Sequence, residues 1–236
     1  QRGVRRVRPG RRLPRAAGAI RHRRRRLMGQ ILVVRHGQAS FGADDYDVLS
    51  DTGEEQARVV GRTQAGLAPD LVVHGSLVRQ RRTAEIAAEA AGWGAPLKED
   101  RRWNELESLA QFAAVSGSPE GLDTEEFQRW YDAAMARWTG GEHDADYAES
   151  FLGFGGRCNA ALADVAAAGT VVAFTSGGPI AAIVAELLAG GAPTYGRLLP
   201  GIVNAGITRV IFGRPGQTLL TFNEHQHLAP ELVTYR

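Results

Sequence analysis

Residues 30–37 read QILVVRHG and residues 170–178 read TVVAFTSGG. In each stretch a short apolar run rich in β-branched residues lacks polar alternation, the pattern of a strand covered on both faces in a parallel sheet. Each run then stops at a small, polar cluster, Arg35-His36-Gly37 in the first and Ser176-Gly177-Gly178 in the second. Two such strands, far apart in the chain, predict an α/β fold whose helices lie in the intervening sequence.

Outward from the first strand, Ser50 and Asp51 offer N-cap oxygens and Glu54 follows three residues after Asp51. Ala57, Val60, Gly61 and Gln64 continue at helical spacing, which predicts the first helix. Residues 70–73 (DLVV) predict a second strand, 78–91 a helix rich in strong helix formers, and 96–98 a brief third strand. Over 99–122 no element is predicted, and Gly117, Ser118, Pro119 and Gly121 mark a loop. Helices are expected near 124–138 and 148–168, the latter kinked or broken at Gly153-Phe154-Gly155-Gly156. Those glycines lack the G-x-G-x-x-G spacing of a nucleotide loop and follow no strand, and the chain's single lysine, Lys98, leaves no Walker A motif. After the strand at 170–175, a helix over 179–189 has Pro179 in its first turn, where a missing N–H costs nothing. Strands near 202–212 and 217–222 have no helix between them and are expected to pair antiparallel. The sum is a three-layer α/β/α sandwich on a mostly parallel sheet with an antiparallel edge strand.

With 236 residues, 44% of them hydrophobic, the chain suits one large domain, and no apolar run approaches the roughly 18 residues that cross a bilayer. A single cysteine, Cys158, rules out an internal disulfide and fits a reducing cytoplasm, and its Ala-rich helical setting reads as a packed, inert thiol. The net charge of +2 conceals a split. Residues 1–27 hold twelve of the 28 basic residues and no acid, leaving 16 basic against 26 acidic residues, or −10, from Met28 onward. This arginine-rich tail has no core periodicity and is expected to be disordered. It reads as a nucleic-acid-binding arm, a transit segment, or sequence upstream of a natural start at Met28; the last is the expectation, with residues 28–236 as the domain. No nucleic-acid partner is expected for 28–236.

Three polar segments fall at the carboxyl ends of predicted parallel strands: Arg35-His36-Gly37, His74-Gly75-Ser76 with Arg79 beyond it, and Ser176-Gly177-Gly178. Open α/β sheets bind ligands along that edge. Phosphoryl transfer needs an in-line nucleophile, donors for three equatorial oxygens and an acid for the departing oxygen. His36 suits the nucleophile, since a neutral imidazole attacks near pH 7 and a phosphohistidine divides one hard step into two. Arg35 and Arg79 offer charged forks that match phosphate oxygens, and Gly37 is expected to let backbone approach the ligand.

The segment ILVVRHGQAS resembles the opening strand and signature of the histidine phosphatase (phosphoglycerate mutase-like) superfamily. LSDTGEEQA at 49–57, GSLVRQRRTAE at 75–85, WNEL at 103–106, VNAGITRV at 203–210 and FNEHQHL at 222–228 resemble later family segments in the right order. The resemblance implies His36 as nucleophile, Glu105 as proton donor, and Arg35, Arg79, Ser176, Gly177 and Gln38 at the phosphate or the pocket mouth. It implies a small phosphorylated substrate, no metal and no cofactor. One departure stands out: where the family presents a second histidine followed by glycine, this chain has Ser176. The reading is therefore a phosphomonoester phosphatase, with a phosphoglycerate mutase-type phosphotransferase or a weakly active or inactive phospholigand-binding member as alternatives.

Other residues have plainer readings. His74 ends a strand and is expected to be packed rather than to replace the missing imidazole. Glu224, His225 and His227 have no third ligand nearby and are not expected to bind metal. Phe127, Trp130 and Trp138, within a specificity-setting insertion near 105–145, are expected to pack as core rather than form a lid.

Overall fold

The computed structural model describes residues 29–40, 47–214 and 216–235, so the expected tail at 1–27 and Met28 lie outside the described residues. Among the described residues, six strands form one sheet: β1 Gly29–Arg35, β2 Leu71–His74, β3 Leu97–Glu99, β4 Thr170–Thr175, β5 Ile207–Gly213 and β6 Gly216–Glu224. Their order is β3-β2-β4-β1-β5-β6. The first four run parallel, β5 is reversed against β1, and β6 pairs antiparallel outside it. The sheet is the expected three-layer sandwich's middle layer, and the single reversed strand lies one position in from the edge.

The two runs that predict the fold form its centre. All six residues of β4 are buried, and alternate residues of β1 enter opposite layers. Leu32 and Val34 face α1 (Asp51–Thr63) and α2 (Val78–Ala91), whereas Ile31 and Val33 face α5 (Phe151–Val165) and α6 (Gly177–Leu187). Because successive strand side chains point to opposite faces, an unbroken apolar run is what a strand with helices on both sides requires. From β1 the chain moves through α1 to the β2 side of the sheet; from β4 it moves through α6 to the β5 side. The connections therefore diverge between β1 and β4, the switch point at which α/β sheets bind ligands.

Local chemistry starts the helices where polar caps allow. Ser50 accepts from the Gly53 N–H ahead of α1, and Asp123 and Glu126 form a capping box ahead of α4 (Thr124–Gly140). Three expectations need correction. The region 99–122 carries a 3₁₀ turn at Arg101–Trp103 and a helix α3, Ser108–Ser116, before the expected loop. No kink or break falls at Gly153–Gly156: Ser150 caps α5 by accepting from Gly153 N–H, so the glycines occupy its first two turns rather than an interior. Finally, the strand expected from 202 begins at Ile207, because residues 203–206 turn, with Ala205 at φ 59°, to meet the end of β1. Helix α7 (Gly191–Leu198) was not predicted, and α6 starts two residues ahead of Pro179.

The insertion aromatics divide. Trp138 is fully buried and meets Phe112, Phe151, Phe154 and Tyr195 in edge or tilted contacts, while Phe127 and Trp130 are half-buried and pack on each other. Trp138 is thus core, as expected. Trp138→Ala is expected to destabilise the fold by about 3–5 kcal/mol and Trp130→Ala by roughly 1 kcal/mol or less, read as urea midpoints at unchanged slope. Equal shifts would show that Trp138 is not the centre of that layer.

Candidate active site

Parallel pairing sets Arg35 of β1 opposite Thr175 of β4, so His36 and Ser176 leave the sheet side by side. The His36 N–H donates to Thr175 O at 2.8 Å, extending the ladder one residue past the strand, while His36 O accepts from Ala205 N and Asn204 Nδ2. The imidazole is 5% exposed, with Nδ1 2.6 Å from the Gly37 carbonyl. A carbonyl only accepts, so Nδ1 carries the proton and Nε2 of the neutral ring keeps its lone pair. Arg79 Nε donates to that Nε2 at 3.2 Å. Burial holds the His36 pKa well below the ordinary 6.5; the charges of Arg79 and Arg35 lower it further, and the Gly37 bond opposes them.

Arg79 is the second residue of α2, and its Nη1 is 2.7 Å from Asp47 Oδ1. The same carboxylate accepts from Val78 N at 2.7 Å and Arg79 N at 3.4 Å, capping the helix that presents the arginine. Helical spacing sends Arg81 and Arg82 outward, to Glu85 and Glu54. Arg35 Nη1 donates to the carbonyls of Ile202 and Tyr235, and its guanidinium lies beside Gly177, whose Cβ, if present, would stand 3.8 Å from Nε. Gly37 also serves a packing contact that its local sequence does not show. A Cβ there would lie 2.3 Å from Gly53 O, so the glycine admits the backbone of α1. Gln38 is tied to the same helix start: its amide oxygen accepts from Ser50 Oγ at 2.9 Å and its N–H donates to Gln56 Oε1 at 2.7 Å.

Glu105 follows the 3₁₀ turn and reaches the start of α6. Its Oε2 accepts from Gly178 N and its Oε1 from Leu106 N, both at 2.9 Å. Any Cβ at position 178 would stand 2.0 Å from Glu105 Oε1, so glycine is what admits the carboxylate. Ser176, 1% exposed, is the N-cap residue of α6 but makes no cap bond with its side chain; its Oγ accepts from Gln80 Nε2 at 2.8 Å. A cleft of about 460 Å³ opens beside Glu105, lined in part by Asn104, Gln111, Glu149 and Arg157.

Elsewhere the plainer readings describe what the side chains do. His74 is buried with Nδ1 on Gly75 O at 2.8 Å. His225 and His227 bond the carbonyls of Asn223 and Ala205, Glu224 pairs with Arg209, and no cluster of three potential metal ligands occurs among the described residues. Cys158 is buried, and burial pushes its thiol up to about 12. None of the described helices is long and apolar enough to cross a membrane.

Four polar residues at the site escaped the sequence reading: Asp47, Gln80, Thr83 and Asn204. Gln80 had a readable signal, because Gln80, Thr83, Ala84 and Ala87 form one buried stripe at helical spacing that the flanking arginines mask. Thr83 Oγ1 accepts from Gly37 N at 3.1 Å and donates to Arg79 O at 2.7 Å, linking the two signature segments. Asp47 and Asn204 act across long sequence separations and leave no local pattern. As assembled, a buried neutral imidazole turns its Nε2 lone pair to the Nε–H of one guanidinium and lies in the field of a second, an arrangement fit to attack an electrophile whose anionic oxygens take over that donor.

Comparison with known proteins agrees with that chemistry. Residues 31–225 match the sequence profile of the histidine phosphatase superfamily (branch 1). The chain is 38% identical over 112 residues to the 2,3-bisphosphoglycerate-dependent phosphoglycerate mutase of Thermobifida fusca (strain YX); the aligned stretch covers 42% of this chain and 42% of that enzyme, less than half of its length. It is 28% identical over 220 residues to the "Probable phosphoglycerate mutase GpmB" of Citrobacter koseri, covering 87% of this chain and 98% of the relative. Among solved structures, mycobacterial hydrolase 1 superposes with a TM-score of 0.62 at 25% identity, covering 84% of this chain and 99% of that one. With its fold, its ordered motifs and a family match over most of its length, this chain belongs to the histidine phosphatase superfamily, branch 1.

Proposed function

We propose that the protein is a phosphomonoester phosphatase working through a phosphohistidine on Nε2 of His36. The observation that carries the reading is the tautomer: Nδ1–H is committed to Gly37 O, which leaves the Nε2 lone pair facing Arg79. A phosphoryl oxygen that accepts from Arg79 Nε takes that donor away from Nε2 and brings phosphorus to the lone pair. Asp47, holding the far side of the guanidinium, keeps the fork aimed before substrate arrives. Arg35, the N-terminus of α6 and Ser176 are the remaining phosphate-binding elements in this reading, with Gly177 at the helix start and Gln38 at the pocket mouth.

In the first step Nε2 forms a bond to phosphorus, the P–O bond to the alcohol breaks, and a protonated Glu105 gives its proton to the departing oxygen. In the second, the Glu105 carboxylate takes a proton from water, the water oxygen bonds phosphorus, and the N–P electron pair returns to Nε2. The bond that Glu105 accepts from the N–H of Gly178, in the first turn of α6 and two residues beyond Ser176, supports this role. The cleft beside Glu105 has room for the alcohol half of the substrate. A mutase would deliver the phosphoryl group to a second substrate hydroxyl instead of water, and the names of the mutase relatives make a phosphoglycerate the first acceptor to try. In this reading Ser176 stands in place of the family's second histidine; it donates one neutral hydrogen bond, which slows turnover without abolishing it.

His36→Ala is expected to reduce release of p-nitrophenol from p-nitrophenyl phosphate by about 10³-fold or more, and quenching the wild-type enzyme should trap an acid-labile, alkali-stable phosphoenzyme that the variant lacks. Tight phosphate binding with no His36-dependent release between pH 4 and 9 would instead identify a phospholigand-binding member. The pH response follows from the site. Because His36 is held below 6.5 in the folded chain, its imidazole stays neutral as pH falls through 6.5, while the unfolded chain gains a proton there. Its NMR titration should therefore fall below that value, and stability should begin to drop as pH falls below 6.5. Arg79→Ala, which removes a neighbouring positive charge, should move the titration upward; an unmoved midpoint would sink the electrostatic account.

A further inference from the structure

We propose that Gln80 is a positioning residue of the phosphate site, whose amide turns the Ser176 hydroxyl so that its proton is presented to the phosphoryl oxygens of the substrate. The proposal rests on the reading of the His36 site as one that holds a phosphoryl group.

Gln80 heads the buried stripe of α2 and is fully buried. A primary amide in a core is costly unless bonded, so its placement asks for a reason. Gln80 Nε2 lies 3.1 Å from Trp103 O and 2.8 Å from Ser176 Oγ. Trp103 O is a carbonyl and can only accept, so the amide atom facing it is the nitrogen, and both amide hydrogens are committed. Ser176 Oγ is therefore an acceptor toward Gln80, and the serine's own O–H must point elsewhere. The other nearby acceptor, Trp103 O, is already met by Gln80 and by Thr175 Oγ1 at 2.5 Å. Ser176 Oγ makes no bond to the backbone of α6, and among the described residues its hydrogen meets no acceptor. A buried hydroxyl beside His36 is thus left with a proton to give, and an anionic phosphoryl oxygen is the acceptor that chemistry calls for.

The opposite end of the amide makes the case independently. Gln80 Oε1 is buried with no hydrogen-bond partner. It occupies the space where a side chain on residue 75 would begin: a Cβ on Gly75 would lie 1.9 Å from it. A core that needed only volume at position 80 would be served by an apolar residue without that unsatisfied oxygen. Retaining the amide makes sense when its nitrogen has work at Ser176.

Gln80→Met keeps the length of the side chain and removes both N–H donors. In a cycle of wild type, Gln80→Met, Ser176→Ala and the double variant, kcat and KM for p-nitrophenyl phosphate and inhibition by orthovanadate are measured, with unfolding midpoints as the control. Each single variant is expected to lower kcat about 10-fold and weaken vanadate, with the double variant no worse than the poorer single. Gln80→His, which keeps one N–H, should retain part of the rate. A Gln80→Met loss of equal size with and without the Ser176 hydroxyl, or no loss at all, overturns the assignment and leaves Gln80 as packing. Should Gln80→Met fail to fold, Gly75→Ala displaces the amide from its other side and carries the same expected coupling. If wild type neither hydrolyses the ester nor binds phosphate or vanadate in calorimetry, the phosphate-site reading itself fails and this inference with it; additive losses in an active enzyme sink only the role of Gln80.

Discussion

The register between β1 and β4 is the constraint on which the site depends. Arg35 faces Thr175 across the parallel ladder, and the next rung, His36 N–H to Thr175 O, places the imidazole and Ser176 at the same height above the sheet edge. A slip of one residue would turn the arginine and histidine to opposite faces and carry Leu32 and Ile31 into the wrong layers. Register is strongly held because both faces of β1 are buried under helices. The backbone of His36 is gripped from two sides, by β4 through its N–H and by the turn ahead of β5 through its carbonyl. The carbonyl of Gly37 then fixes the ring.

Electrostatics follow from this placement. Burial keeps the imidazole neutral, the charges of Arg79 and Arg35 add to that effect, and neutrality leaves a lone pair for chemistry. Two partly buried guanidinium groups left without partners would be costly, and the structure meets that cost locally: Asp47 takes Arg79, and carbonyls of Ile202 and Tyr235 take Arg35. Both cations are thus held in place by protein groups, and Arg79 is turned toward the ring without needing a ligand to order it.

The segment that carries Glu105 is positioned from several directions at once. Gln80 and Thr175 hold Trp103 O, Arg157 Nη1 bonds the carbonyls of Arg102 and Asn104, and Gly178 N–H meets the Glu105 carboxylate. Arg157 is itself paired with Glu149 and lies over the Phe154 ring, so α5 links this segment to the aromatic core around Trp138. A region without a readable element in sequence is therefore ordered by contacts made to it rather than by its own propensity.

Local sequence determined the central strands, α2 with its observed bounds, the caps of α1 and the residue types gathered at the sheet edge, because burial on both faces and helical spacing leave periodic marks over a few residues. Those marks also located His36, Arg79 and Ser176 at the ends of strands and starts of helices. Tertiary structure alone decided the service of Asp47 and Asn204, the use of Gly37 for helix packing, and the turn at 203–206 that shortens β5. It also turned Gln80 from one polar residue in an arginine run into a buried donor. The reason is physical: each of these depends on a hydrogen bond or steric contact between segments tens of residues apart, and such a contact imposes no repeat on the sequence at either end.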